Sequence, residues 1–341
     1  MICTIVPSHI LKEITCRGSR DQKEKALETL IQTEQFRGLR NALGILPFLT
    51  AVPIAGKWRT LYDAGNKFSL PGRMVREEGG LKNRDLAVNE AYEGSGIHYD
   101  FFKETYGRDS LDGKGFQLHS SVHYGRHYDN AFWNGTQMVY GDGDGDLFDR
   151  FTKCLDIIGH ELTHGIVQFE ANLAYEGQAG ALNESFADVF GSLVKQYKNR
   201  QKAEDADWLI GEGLLKAKVH GKALRSMKEP GTAYDDPVLG KDPQPAHMKN
   251  YVETYDDNGG VHINSGIPNR AFYEASIRIG GYAWEKAGQI WYVALRDRFK
   301  AASDFKDAAK ITFSVASETF GKNSKEAKAV SEAWKAVGIK I

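Results

Sequence analysis

Cysteine is scarce in this chain. Only Cys3, Cys16 and Cys154 occur among 341 residues, which is too few, and odd in number, for a disulfide-built scaffold. An excess of one charge sign is also missing. The 44 Lys and Arg stand against 45 Asp and Glu, a net charge of −1, so no overall basic field for nucleic acid exists. Long hydrophobic runs are absent. The longest largely apolar stretch, Leu43 to Gly56, is too short to span a bilayer and is broken by Pro47 and Pro53. Near the N-terminus, Lys12 and Glu13 interrupt what a secretory leader would keep apolar. These features lead to the expectation of a protein that is cytoplasmic as made, with any release by a route that uses no N-terminal signal peptide. No nucleic-acid partner and no membrane span are expected.

What remains is ordinary globular material, 41% hydrophobic and 26% charged, and long enough for about two domains. Residues 1–50 read as a separate unit. Ile10, Leu11 and Ile14 suggest a short amphipathic turn, and Ser19 with Gln22 looks like a capping box. Leu27, Leu30 and Ile31 then continue at helical spacing toward Gly38. The connector 43–56 is apolar and broken by proline, so it suits a groove or a cleavage site better than a solvated linker. Residues 57–150 look β-rich, with short apolar runs at Trp58–Tyr62, Phe116–Val122 and Gln137–Tyr140 between Gly, Asn and Asp clusters. Beyond 150 the period becomes helical, over 153–169, 184–198, 265–279, 282–300, 305–320 and 324–337. Strands first and helices later predict an α+β chain of two lobes.

One motif carries chemistry. His160-Glu161-Leu162-Thr163-His164 is an HExxH set among Leu155, Ile158, Ile166 and Phe169. On a helix, positions i and i+4 differ by about 40° around the axis, so both imidazoles can share one Zn²⁺. Glu161 lies about 100° from His160. It can reach a zinc-bound water without entering the coordination sphere, and can take a proton as that water attacks a carbonyl. Downstream, Glu184 and Asp188 share a helix face. Glu184 can be the third metal ligand, and Asp188 can accept the free ring N–H of a ligand histidine. Two His and one Glu leave a coordination position open, which marks a catalytic site.

The stretch HELTHGIVQFEANLAYEGQAGALNESFADVFG resembles the zinc core of the thermolysin family of metalloendopeptidases. NAFWNGTQMVYGDGDG (130–145), ALRSM (223–227) and DNGGVHINSG (257–266) are similar to the same family, and they follow in its order. The resemblance implies a two-lobed zincin with a β-rich N-terminal lobe, a mainly helical C-terminal lobe and the HExxH helix at the floor of the cleft. It implies a single catalytic Zn²⁺ on His160, His164 and Glu184, with Glu161 as base. It also implies that Tyr175 and His262 stabilise the oxyanion and that Asp257 orients His262. Arg225 is implied to hold the carbonyl beyond the scissile bond, Asn130 and the Ala131 backbone to bind the peptide main chain, and Asn183 and Asp188 to support the ligand histidines. Phe148, Phe151, Ile157, Ile210, Leu214 and Leu224 align with the pocket for the residue after the cut. All six are apolar, so a preference for a bulky apolar residue there is implied. Two other readings are weighed against this one. An aminopeptidase would need a group for the free amine, and no GxMEN motif occurs. A zinc-folded interaction protein would not need Glu161, Tyr175 and His262 together.

Three departures from the family matter. Calcium is expected to be reduced to at most one site near Asp156, Asp207 and Glu212, because two acidic family positions are Lys195 and Leu209 here, and a lysine ammonium repels a cation. The run GDGDGD (141–146) mimics the start of an EF-hand, but Leu147 and Lys153 stand where its Gly and Glu belong, so a tight turn is expected. The short N-terminal unit resembles that of the protealysin-like branch, with Ile5-Val6-Pro7-Ser8-His9-Ile10-Leu11 as the comparable stretch. That resemblance implies a propeptide over 1–50 acting as an intramolecular inhibitor, with Thr50–Ala51 as the candidate boundary. The N-terminal and C-terminal catalytic lobes then cover 51–167 and 168–341. Latency is expected either from an apolar tail in the cleft or from a Cys3 thiolate on the zinc.

Overall fold

A computed structural model gives the fold, described over residues 3–43 and 56–341. The proline-broken connector from 44 to 55, the Thr50–Ala51 boundary and the side chain of Cys3 lie outside the described residues.

The N-terminal unit begins with a two-residue strand, β1 (Cys3–Thr4), followed by helices α1 (Ser8–Arg17) and α2 (Arg20–Leu43). Ser19 and Gln22 form the expected capping box, with Gln22 N–H donating to Ser19 Oγ and Ser19 N–H to Gln22 Oε1. Ile10, Leu11 and Ile14 bury one face of α1. The unit rests on the rest of the chain. Phe36 of α2 packs its ring against Tyr124 and Phe132, and Thr33 bonds the Tyr128 hydroxyl.

A six-stranded sheet follows. Its strands are β2 (Arg59–Asp63), β3 (Arg73–Glu77), β4 (Leu118–Val122), β5 (Ala131–Trp133) and β6 (Met138–Tyr140), with β1 as the sixth, in the order β1-β5-β6-β4-β2-β3. The β1 strand lies antiparallel on β5, pairing Cys3 with Trp133 and Thr4 with Phe132. An otherwise free sheet edge is thereby covered by the N-terminal segment.

The β-rich region is less purely β than its sequence suggests. A long helix, α3 (Leu86–Tyr106), crosses it, capped by Asp85 and ended by Gly107 in the left-handed region. Below the sheet lies α4 (Leu155–Phe169), the HExxH helix, whose residues from Asp156 to Val167 are all buried. Against it packs α5 (Gly177–Asn199), which starts earlier than the sequence period suggests. The two helices meet at glycines. A Cβ on Gly159 would lie 3.0 Å from Gly191 Cα, and one on Gly191 would lie 2.5 Å from the Asp156 carbonyl oxygen. This glycine contact lets the helices approach closely and brings side chains on both toward one point.

The remaining helices, α6 (Asp257–Asn264), α7 (Gly266–Ile279), α8 (Ala287–Asp297), α9 (Phe305–Phe320) and α10 (Lys325–Ala336), build the C-terminal lobe. At its start Asp257, Asn258, Gly259 and Gly260 all have φ between 52° and 83°. Gly takes this conformation freely and Asn and Asp tolerate it, so the DNGG sequence turns the chain sharply and aims His262 at the cleft. Among the described residues no helix is long and apolar enough to cross a membrane.

Candidate active site

The i, i+4 spacing brings His160 and His164 together on α4, with Nε2 atoms 3.0 Å apart. Each ring is fixed from behind. His160 Nδ1 lies 2.8 Å from Asp188 Oδ1, and His164 Nδ1 lies 2.9 Å from Asn183 Oδ1. Both partners accept, so each Nδ1 carries the proton and each Nε2 presents a lone pair. Glu184 from α5 adds its carboxylate, 3.5 Å from His160 Nε2 and 3.6 Å from His164 Nε2. Its Oε2 is buried without a hydrogen-bond partner. Two facing lone pairs and a carboxylate, all buried, repel one another unless a cation sits among them. Among the described residues this is the one group of three or more His, Cys, Asp or Glu disposed to hold a metal. The donor set, two imidazoles and one carboxylate, suits Zn²⁺.

Glu161 is fully buried beside this cluster. Its Oε2 accepts the Trp133 N–H at 2.9 Å, and Oε1 has no hydrogen-bond partner. Burial, then the Glu184 charge, pushes its pKa well above the ordinary carboxylate value. On the opposite wall, Asp257 takes both the ring and the backbone of His262: Oδ1 is 2.7 Å from Nδ1 and Oδ2 accepts the His262 N–H at 2.9 Å. Burial opposes the charged imidazole, but Asp257 and then Glu184 outweigh it, so His262 sits above its usual value. The Tyr175 hydroxyl bonds Glu184 and lies 3.2 Å from His262 Nε2.

Arg225 stands in a two-residue strand, β8 (Arg225–Ser226), paired with β7 (Leu209–Ile210). Its guanidinium forks onto Asp188, with both bonds at 2.9 Å. Burial works against the Asp188 charge, but Arg225 and His160 hold it well below the usual carboxylate range. Asp188 thus links His160 to Arg225, and Asn269 Nδ2 donates a further bond to it at 2.8 Å. Asn269 carries no local sequence signal. It reaches the site only because α7 packs on α5.

The metal-binding and polar residues singled out from the sequence therefore converge on one buried cleft. The N-terminal segment shares that cleft. Ile5 N–H donates to the Ala131 carbonyl at 3.1 Å. Val6 exchanges two bonds with the Asn130 side chain, at 2.9 and 3.1 Å. Arg225 donates to the Ile5 carbonyl at 2.9 Å, and the Thr4 carbonyl lies 3.0 Å from His262 Nε2. Ile5 and Val6 are fully buried in the same apolar cluster as Phe148, Phe151, Ile157, Ile210, Leu214 and Leu224.

Two expectations outside the cleft also take shape. Lys195 places its ammonium 2.9 Å from both Asp156 and Asp207, and 2.8 Å from the Leu209 carbonyl. A cation of the protein's own stands where a calcium ligand set would gather. In the GDGDGD run, Asp144 accepts three backbone N–H bonds, from Asp146, Leu147 and Phe148, which is a tight turn.

Comparison with known proteins decides the family. The family model for the catalytic domain of thermolysin metallopeptidase matches residues 57–168, and that for its alpha-helical domain matches 171–339. The chain belongs to the thermolysin metallopeptidase family. It is 50% identical, over all of its length and 97% of the relative's, to a protein of Pectobacterium carotovorum subsp. carotovorum named extracellular metalloprotease. It is 48% identical to protease PrtS of a Photorhabdus strain, over 99% of this chain and 92% of that protein. A solved structure, the precursor of protealysin, a metalloproteinase from Serratia proteamaculans, is 51% identical with a TM-score of 0.91 and covers 99% of both chains. This thermolysin-family chain is accordingly a zinc metalloendopeptidase, with a β-rich first lobe and a helical second lobe.

The expectation of a cytoplasmic protein is overturned. The name of the Pectobacterium relative points to secretion. Scarce cysteine speaks to redox chemistry, and a particular leader pattern speaks to one export route, so neither feature reports the final destination.

Proposed function

We propose that this protease cuts internal peptide bonds with a preference for a bulky apolar residue after the cut, and that residues 1–50 are a propeptide that keeps it latent. The catalytic lobes then cover 51–167 and 168–341. The path of residues 4–6 carries this reading. They add a strand to the β5 edge as an extended substrate would, and Asn130, the Ala131 carbonyl, Arg225 and His262 each have a main-chain partner on them. In that register Thr4 supplies the carbonyl of the bond at the reaction centre. Ile5 stands as the residue after the cut, in the apolar pocket.

His160, His164 and Glu184 would hold Zn²⁺, which when bound would supply Lewis acidity to a water and to the substrate carbonyl. Glu161 Oε1 takes the proton of the attacking water and returns it to the leaving nitrogen. Tyr175 and His262, the latter locked by Asp257, donate to the oxygen on which charge develops. Arg225 holds the next carbonyl, and Asn130 and Ala131 fix the main chain, so the scissile bond enters already oriented.

The test uses internally quenched peptides blocked at the N-terminus, identical except for Leu, Phe or Asp after the cut. The processed enzyme should cleave the Leu and Phe peptides and leave the Asp peptide nearly intact, and a Glu161→Ala chain should cleave none. Cleavage confined to peptides with a free N-terminal amine would overturn the endopeptidase reading. Equal rates on Leu and Asp would overturn the pocket assignment.

A further inference from the structure

His9 has no part in the reaction above, yet it sits at the contact between α1 and the catalytic lobe. The residue is partly exposed, but its ring nitrogens point inward. Nε2 lies 3.1 Å from the Tyr234 hydroxyl, and Nδ1 is buried with no hydrogen-bond partner. A neutral imidazole fits this place, with one nitrogen bonded and the other bare. An imidazolium does not, because it has two N–H donors and the second would point into a buried region with no acceptor. The charges around the ring also oppose a proton. From the catalytic lobe Arg225 and His262 face it, and Lys12 faces it from its own helix. Asp257 is the acid that favours the proton, and Tyr234 is the neutral hydroxyl in contact. Asp257 is already engaged by His262 through both carboxylate oxygens.

We propose that His9 is a pH latch on the propeptide, seating α1 and residues 3–6 in the cleft while neutral and loosening them once protonated. This rests on the reading that residues 3–6 block the cleft.

The direction follows from linkage. Burial, against the smaller opposite pull of Asp257, lowers the His9 pKa from 6.5 to about 4 in the seated state. The unseated segment binds the proton more readily. Seating is therefore at full strength above the unseated value of 6.5, and it weakens by about tenfold for each pH unit below it, levelling off near the seated value. An acidic medium would therefore loosen the propeptide's hold on the cleft.

The experiment uses the full-length, zinc-loaded Glu161→Ala chain, which should not cut itself. Hydrogen exchange of the Ile5 and Val6 amides, corrected for intrinsic rate, is followed from pH 7.5 to 5. Amides of α4 serve as the control for loss of zinc or wider unfolding. Protection at Ile5 and Val6 should fall roughly tenfold between pH 6 and 5 while α4 stays protected, and the fall should vanish when His9→Gln is added. If His9→Gln already unseats the segment at pH 7.5, His9→Phe, which keeps a ring in the space, takes its place. NMR titration of the His9 ring in the Glu161→Ala chain gives a second readout and should show it neutral down to about pH 5. An equal pH slope with and without His9, or a ring that titrates at its ordinary value, overturns the latch. Unprotected Ile5 and Val6 amides at pH 7.5 would instead overturn the cleft-blocking reading itself.

Discussion

Replacing Lys195 with methionine tests what stands in for calcium in this protease. The Lys195 ammonium touches Asp156, Asp207 and the Leu209 carbonyl within 2.9 Å. Asp156 is 1% exposed, and its other bonds, from the Ile157 and Gly211 N–H groups, do not neutralise its charge. Burial disfavours the charged lysine, but Asp156 and Asp207 outweigh it and hold the ammonium firmly protonated. Removing one partner of a buried pair leaves the other uncompensated, at about 3–5 kcal/mol. For lobes of this size, each kcal/mol shifts the midpoint by roughly 2–4 °C. Lys195→Met should therefore lower the thermal midpoint by about 6–20 °C. Thermal unfolding is followed by circular dichroism, with zinc supplied throughout, in calcium or in a calcium-selective chelator. The parent midpoint should be the same in both. The variant should recover part of its loss in millimolar calcium, because three oxygens then face a vacant position. A variant midpoint within about 2 °C of the parent would refute the reasoning, and so would a large drop of the parent midpoint in the chelator.

Other consequences can be measured in the same way. Tyr175→Phe removes one donor to the developing oxyanion and should lower kcat of the processed enzyme by about 10²–10³-fold with little change in KM; a change confined to KM would contradict the role. Asp188→Asn weakens the group that holds both His160 and Arg225, and zinc affinity in competition with a chelator should fall by about 10–100-fold. His123 bridges Asp142 and Asp85 at 2.8 and 2.7 Å. Bonding to Asp142, against the cost of burial, raises its pKa to about 9. Its contribution to stability is complete below its ordinary value of 6.5 and is lost as pH rises through 9. Screened by solvent at this half-buried site, the contribution is about 1 kcal/mol, so His123→Gln should be less stable than the parent at pH 6 and equal to it near pH 10.

The zinc ligands were legible because their geometry is local. His160 and His164 need only one helical turn between them, and Glu184 with Asp188 needs only one more. Tyr175 in a loop, Arg225 in a two-residue strand and His262 in a short helix carry no such period and are visible only through resemblance. Helix α3 escaped the pattern because most of it is buried, leaving only a narrow polar stripe at Glu90, Glu93, Asp100 and Lys103. It also carries glycines where neighbours press in, and a Cβ on Gly94 would lie 2.4 Å from Ile158 Cδ1. Asn269 and His9 are likewise silent locally. One acquires its role from the packing of α7 on α5, the other from where α1 comes to rest.

Intact mass against time for the purified full-length chain, beside its Glu161→Ala variant, tests the central claim most directly. The parent should lose the segment 1–50 and gain peptidase activity in step, while the variant stays whole. Identical trimming of both chains, or full peptidase activity from a parent that keeps residues 3–6, would contradict a self-processing protease held latent by its own N-terminal segment.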